Sequence, residues 1–268
     1  MTETIKLTAS GLAFNARVDG PDGAPWVTFS NSLTTSLALW DDQVAALDDR
    51  YRILRYDTRG HGGTEAGSGG YTIEALAGDV VGLWDALGIA RSHVVGLSLG
   101  GATALALAET HASRLGGIVA CGCRADAPPE YIETWRQRIR DVNERGLEGQ
   151  VETTIERWFT PRFRATDPPV LDQVRAMIRA TSLEGYLGCA DALMGLDLAP
   201  RLADITVPTL IVAGAQDAGA APAIMRPMCE SIPGARYAEI DPASHICNLE
   251  QPQRFNAEIG AFLDSLDA

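Results

Sequence analysis

Gly96-Leu97-Ser98-Leu99-Gly100, followed by Gly101, stands between a run that reads as strand and a run that reads as helix. SHVVGLS (92–98) is short and apolar, with two adjacent valines, whereas ATALALAE after the glycines is an alanine- and leucine-rich helix former. A serine on so tight a strand-to-helix turn is held in strained backbone geometry and needs neighbours without bulky side chains. Gly96 and Gly100 supply that room. The turn lifts the hydroxyl clear of the sheet and sets it at a helix N-terminus, where the dipole favours developing negative charge. This is the G-x-S-x-G form of a nucleophile elbow. A phosphate-cradling loop does not fit, because no G-x-x-x-x-G-K-[ST] occurs and Lys6 is the only lysine.

The rest of the chain supplies the sheet that such an elbow requires. IKLTASGLAFNARVDG alternates in period two around Ser10-Gly11, which predicts an antiparallel hairpin. WVTFSN (26–31), YRILRYD (51–57) and GGIVACGC (116–123) read as buried strands. Helices fit 40–49, 73–88 and 99–110; in the second, Leu76, Val80, Leu83 and Leu87 share one face. A glycine-rich loop, TRGHGGTEAGSGG, follows the 51–57 strand. This β-α-β-α-β order predicts an α/β fold, a mostly parallel sheet with helices on both faces. Residues 125–200 break the rhythm as several helices without a convincing strand. The sheet pattern then resumes with PTLIVAGAQD (208–217), a helix near 221–231, ARYAEID (235–241) and a helix near 251–266. One α/β core (1–124 and 201–268) with a helical lid inserted at 125–200 is therefore expected.

A serine hydroxyl is a weak nucleophile until a base takes its proton, and the usual base is histidine. The chain has four: His61, His93, His111 and His245. Around an elbow of this kind the order is serine, acid, histidine, which removes His61 and His93. His111 ends the helix that leaves the elbow, about 18 Å away at 1.5 Å per residue. His245, in the loop DPASHICNLEQP, is left. Asp217 closes a strand and precedes the small-residue loop AGAAP, so it is the favoured acid. Asp126 is the rival position, and Asp241 would orient the loop. An oxyanion needs two backbone N–H donors. Leu99, the residue after the nucleophile, is one, and Leu33 in the loop after WVTFSN is the choice for the other. The side chains of Asn31 and Ser32 there could add substrate contacts, or serve turn geometry alone.

Composition bounds what else the chain could do. The net charge of −13 argues against general affinity for nucleic acid or anionic membrane, which needs clustered positive charge. No apolar run reaches the roughly 18 residues that span a bilayer. The opening MTETIKLTASGLAF has no basic region followed by an apolar one, so no signal peptide is read. Five cysteines, an odd number without a C-x-x-C pair, predict free thiols in a reducing cytoplasm. No spacing matches a metal site.

Several segments resemble bacterial 3-oxoadipate enol-lactonases of the α/β-hydrolase superfamily. They run nearly end to end: SNSLTTSLALWDDQV, RYDTRGHGGTEA, GLSLGG, WRQRI, RWFT, GYLGCADAL, DLAPRLADITVPTLIVAG, GAQDAGAAP and ASHICNLEQP. The elbow, acid and histidine motifs belong to the whole superfamily, whereas the SNSL loop and the 125–200 segments are more specific. After SNSL the family usually has Gly-Thr; here Thr34-Thr35 puts side-chain bulk beside the oxyanion loop.

The resemblance implies the α/β-hydrolase fold and hydrolysis of the enol-lactone to 3-oxoadipate, late in catabolism of protocatechuate or catechol. Ser98, His245 and Asp217 would act through an acyl-enzyme, with no metal or organic cofactor. The substrate carboxylate calls for a cation among Arg136, Arg138, Arg140 and Arg157, of which Arg138 is favoured, and Trp135 could pack over the ring. A dehalogenase would need aspartate at position 98. A cofactor-free esterase, a perhydrolase, a carbon–carbon hydrolase, a lactonase for another substrate, and a ligand-binding receptor on the same fold remain alternatives.

Overall fold

The computed structural model describes residues 4–68 and 70–267; the first three residues of the N-terminal reading, Gly69 of the glycine-rich loop and Ala268 lie outside them. The hairpin forms as β1 (Thr4–Ala9) and β2 (Leu12–Asp19), joined through Ser10 and Gly11, both at positive φ. Then come β3 (Trp26–Ser30), α1 (Asp41–Leu47), β4 (Arg52–Tyr56), α2 (Ile73–Leu87), β5 (Ser92–Leu97), α3 (Leu99–Thr110) and β6 (Leu115–Cys121). Five helices follow: α4 (Pro129–Arg145), α5 (Val151–Trp158), α6 (Pro161–Ala165), α7 (Val170–Ala180) and α8 (Leu183–Met194). The sheet is completed by β7 (Thr209–Gly214) and β8 (Arg236–Ile240), separated by α9 (Pro222–Glu230). The short α10 (Cys247–Glu250) and α11 (Pro252–Asp264) close the described chain. The helix expected over 40–49 is shorter, preceded by a 3-10 turn at Leu37–Trp40.

The eight strands run β1-β2-β4-β3-β5-β6-β7-β8, parallel from β4 to β8, with β1 and β2 antiparallel at one edge. Helices cover both faces, and the strand side chains alternate between two cores as period two requires. Val94, Ile118, Ala120, Ile211 and Ala213 point to the core shared with α2, α3 and α9. Val95, Leu97, Val119, Cys121, Leu210 and Val212 point to the core shared with α1 and α11. Each fully buried valine, leucine or isoleucine contributes about 1.5–3 kcal/mol, so a one-residue register slip in β5 or β7 would be prohibitive.

The segment between β6 and β7 is helical, as its sequence predicts. It has no separate core: Trp135, Val142, Tyr186 and Cys189 join the first cluster, and Val151, Ile155, Leu171 and Val174 join the second. Among the described residues no helix is long and apolar enough to cross a membrane. All five cysteines are unbridged and buried.

Candidate active site

The turn from β5 into α3 bears Ser98 at φ 57°, ψ −111°, outside the backbone regions that L-residues favour. The chain passes itself so closely there that side chains are excluded. A Cβ on Gly96 would sit 2.0 Å from the Gly100 carbonyl oxygen, and one on Gly100 would sit 2.1 Å from that of Ser30. Two hydrogen bonds fix the turn in the sheet: Ser98 N–H donates to the Cys121 carbonyl at 2.8 Å, and Gly100 N–H to the Asn31 carbonyl at 2.9 Å. The second ties the elbow to the loop carrying Leu33. Leu99 opens α3, so its N–H has no acceptor within the helix.

Asp217 stands just beyond the end of β7 and His245 in the loop after β8. The His245 Nδ1 to Asp217 Oδ2 distance is 2.7 Å, and the carboxylate is 1% exposed. Asp217 Oδ1 also accepts from the N–H groups of Gly219 (2.8 Å) and Ala220 (3.2 Å). Burial alone would raise this carboxyl, but the facing His245 charge and these hydrogen bonds outweigh it and hold Asp217 below the usual carboxylate range. Asp126, the rival acid position, is exposed and ion-paired with Arg124, and Asp241, expected to orient the loop, is exposed. His61 bonds the Arg59 carbonyl, His93 pairs with Asp267 and His111 meets Thr110.

Ser98, Asp217 and His245 line one cavity of about 650 Å³, within the range of small-molecule sites. Ser32, Leu33 and Thr34 form one wall, and Trp135, Arg138, Arg157, Trp158 and Tyr186 come from the inserted helices. Ser32 Oγ is buried without a hydrogen-bond partner among the described residues. Trp158 packs beside the imidazole with ring centroids 6.1 Å apart.

Other expected residues fall elsewhere. Asn31 is not among the residues lining this cavity. Its side-chain N–H donates to the Tyr56 carbonyl and its side-chain oxygen accepts from Trp40 Nε1 at 2.9 Å, so this amide braces the loop. Arg136 and Arg140 face outward and pair with Glu133. Among the described residues no three His, Cys, Asp or Glu side chains gather as a metal site would need.

Sequence reasoning missed Glu250 and Gly122. Buried Glu250 accepts from Ser244 N–H at 3.0 Å and from the N–H and hydroxyl of Thr160, joining the His245 loop to the end of α5. Gly122, at φ +53°, passes close to the His–Asp pair: a Cβ there would lie 3.5 Å from His245 Nδ1. The one hint of Gly122 in the sequence is a glycine at the end of a strand.

This fold and elbow define a hydrolase scaffold, and residues 25–252 match the family model for the alpha/beta hydrolase fold. The chain belongs to that family. It is 37% identical over 257 residues to 3-oxoadipate enol-lactonase 2 of Acinetobacter baylyi, covering 96% of this chain and 95% of that one. It is 35% identical over 256 residues, with the same coverage, to 3-oxoadipate enol-lactonase 1 of that organism. The crystal structure of the enol-lactonase from Burkholderia xenovorans LB400 superposes with a TM-score of 0.92 at 41% identity, covering 97% of this chain and 100% of that one.

Proposed function

We propose that this protein hydrolyses the enol-lactone of 3-oxoadipate to 3-oxoadipate, with Ser98 as nucleophile, His245 as base and Asp217 as its orienting acid. The observation that carries the reading is the His245–Asp217 bond of 2.7 Å on the cavity that also exposes the strained Ser98. The identity to enol-lactonases across nearly the whole chain supports the substrate.

In this reading His245 Nε2 takes the Ser98 proton as Oγ attacks the lactone carbonyl. Asp217 holds the Nδ1–H tautomer and stabilises the imidazolium. The N–H groups of Leu99 and Leu33 receive the oxyanion. The ring C–O bond then breaks and the leaving enolate oxygen takes the proton from His245, giving the enol and freeing the imidazole to act again. The enol stays tethered, so the acyl-enzyme retains every atom of the substrate. Water attacks the Ser98 ester with His245 again as base, and the enol becomes the ketone of the product. Ser32 Oγ and the Trp135 ring would contact the substrate, and residues 125–200 act as the lid over the site. The five unbridged cysteines support a cytoplasmic location.

The test is a coupled assay in which muconolactone and its isomerase supply the enol-lactone, beside simple aryl esters. Appearance of 3-oxoadipate is expected, and Ser98→Ala should lower kcat by about 10⁴-fold or more. Turnover of aryl esters with no 3-oxoadipate would overturn the lactone reading.

A further inference from the structure

Gln150, Thr154 and Trp158 all line the cavity, and their i, i+4, i+8 spacing sets them on one face of α5 and the residue before it. Trp158 packs beside the His245 imidazole. Gln150 lies about 12 Å further along the helix axis, at 1.5 Å per residue. It is 7% exposed, yet its carboxamide makes no hydrogen bond among the described residues. Charge at this end is already balanced, because Glu148 pairs with Arg179 and Glu152 with Arg175. Thr154 Oγ1 accepts from Arg157 Nη2 at 2.8 Å, which holds that guanidinium on the near side of Gln150. Buried Ile178, Tyr186 and Leu193 give the same cavity apolar wall from α7 and α8.

The enol-lactone has about ten non-hydrogen atoms, which at roughly 30 Å³ each fill about 300 Å³. That is less than half of the cavity of about 650 Å³. A ring of that size seated on Ser98 is too short to reach Gln150. A carboxamide withdrawn from bulk water is costly unless its donor and its acceptor are both answered. One neutral group answers both: a second carboxamide, which accepts from the Gln150 N–H and donates to its oxygen. The direction of α5 selects the half of an ester that reaches it. In the mechanism above the acyl carbon is held between Ser98 and the N–H groups of Leu33 and Leu99. The alcohol oxygen departs beside His245, where Trp158 begins the path to Gln150.

We propose that the protein also hydrolyses uncharged esters of unbranched alcohols that end in a carboxamide, and that Gln150 is the residue that reads that end. The inference rests on the hydrolase reading above but not on the lactone itself. Ser98 Oγ bonds to the acyl carbon, the bond from that carbon to the alcohol oxygen breaks, and His245 gives the departing oxygen the proton it took from Ser98. Water then releases the acid from Ser98, so no further reactant is needed.

The experiment measures kcat/KM, by titration of released acid, for ω-acetoxy alkanamides of about five to nine carbons, a range set by the roughly 12 Å path. Beside them run alkyl acetates of the same lengths in which an isopropyl end replaces the carboxamide. The wild-type protein is expected to favour the amides, with a maximum at one chain length. Gln150→Leu should lower that preference by about 10-fold, as the loss of the hydrogen bonds implies. Gln150→Asn, one methylene shorter, should keep a preference and move the maximum one carbon longer, a shift that a general loosening of the fold would not give. No preference for the amide at any length, or a preference and maximum unmoved in both variants, overturns the proposal. No hydrolysis of any ester, 4-nitrophenyl acetate included, would remove the hydrolase reading and the proposal with it. Failure of the muconolactone assay with the amide preference intact would instead remove the lactone and leave the role of Gln150 standing.

Discussion

Ser98 keeps a backbone conformation that a glycine would adopt more readily, and this strain is local. Ser98→Gly should therefore be inactive yet more stable than Ser98→Ala, by about 1 kcal/mol in urea unfolding. Equal midpoints would show that the turn stores no strain. Thr34 has φ +61°, a backbone conformation that glycine adopts more readily, and lines the cavity. Thr34→Gly should likewise stabilise by about 1 kcal/mol and widen the wall beside Leu33, measured by denaturation and by KM for bulkier esters. Asp217 sets an acid limit. Its folded carboxyl lies below its usual value of 3.8, so it favours the fold above that pH and loses this contribution as pH falls through the folded value. Asp217→Asn should show a shallower loss of stability below pH 4 than the wild type; parallel curves would remove this linkage. Ser98, His245 and Asp217 were legible in the sequence because a strained turn demands glycines and because few histidines compete. The brace role of Asn31 was not, since its partners Tyr56 and Trp40 meet it only after β3, β4 and the 3-10 turn have packed.

At the scale of elements, the His245 loop is held by the end of α5 as much as by the sheet. Glu250 links Ser244 to Thr160, and Ile246 reaches the Trp158 carbonyl. Glu250→Ala leaves buried donors unanswered and should cost about 3 kcal/mol. It should also lower kcat on aryl esters, with partial recovery in Glu250→Gln. Full activity in the alanine variant would mean that the loop holds itself. The strand and helix pattern was readable from period-two and period-3.6 spacing, with boundaries shifted by a few residues as at α1. Glu250 escaped because a single acid in a polar loop carries no periodic signal, and its partners lie 90 and 6 residues away.

For the whole molecule, the helices between β6 and β7 extend the two cores of the sheet and do not build a third. Their tryptophans, Trp135 and Trp158, should therefore lose their environment in the same transition as Trp26, Trp40 and Trp84. Far-ultraviolet circular dichroism and tryptophan fluorescence should give coincident unfolding curves; an early fluorescence transition would make the inserted helices an independent unit. That the insertion exists was plain from the interrupted strand rhythm, but its continuity with both cores depends on contacts no single segment encodes. The account as a whole depends on one activated hydroxyl. The most direct measurement is mass analysis after treatment with a fluorophosphonate. A single adduct on the peptide containing Ser98, lost in Ser98→Ala and much slowed in His245→Ala, is the expected result. An unlabelled Ser98 in a folded protein, or labelling that ignores His245, would contradict it.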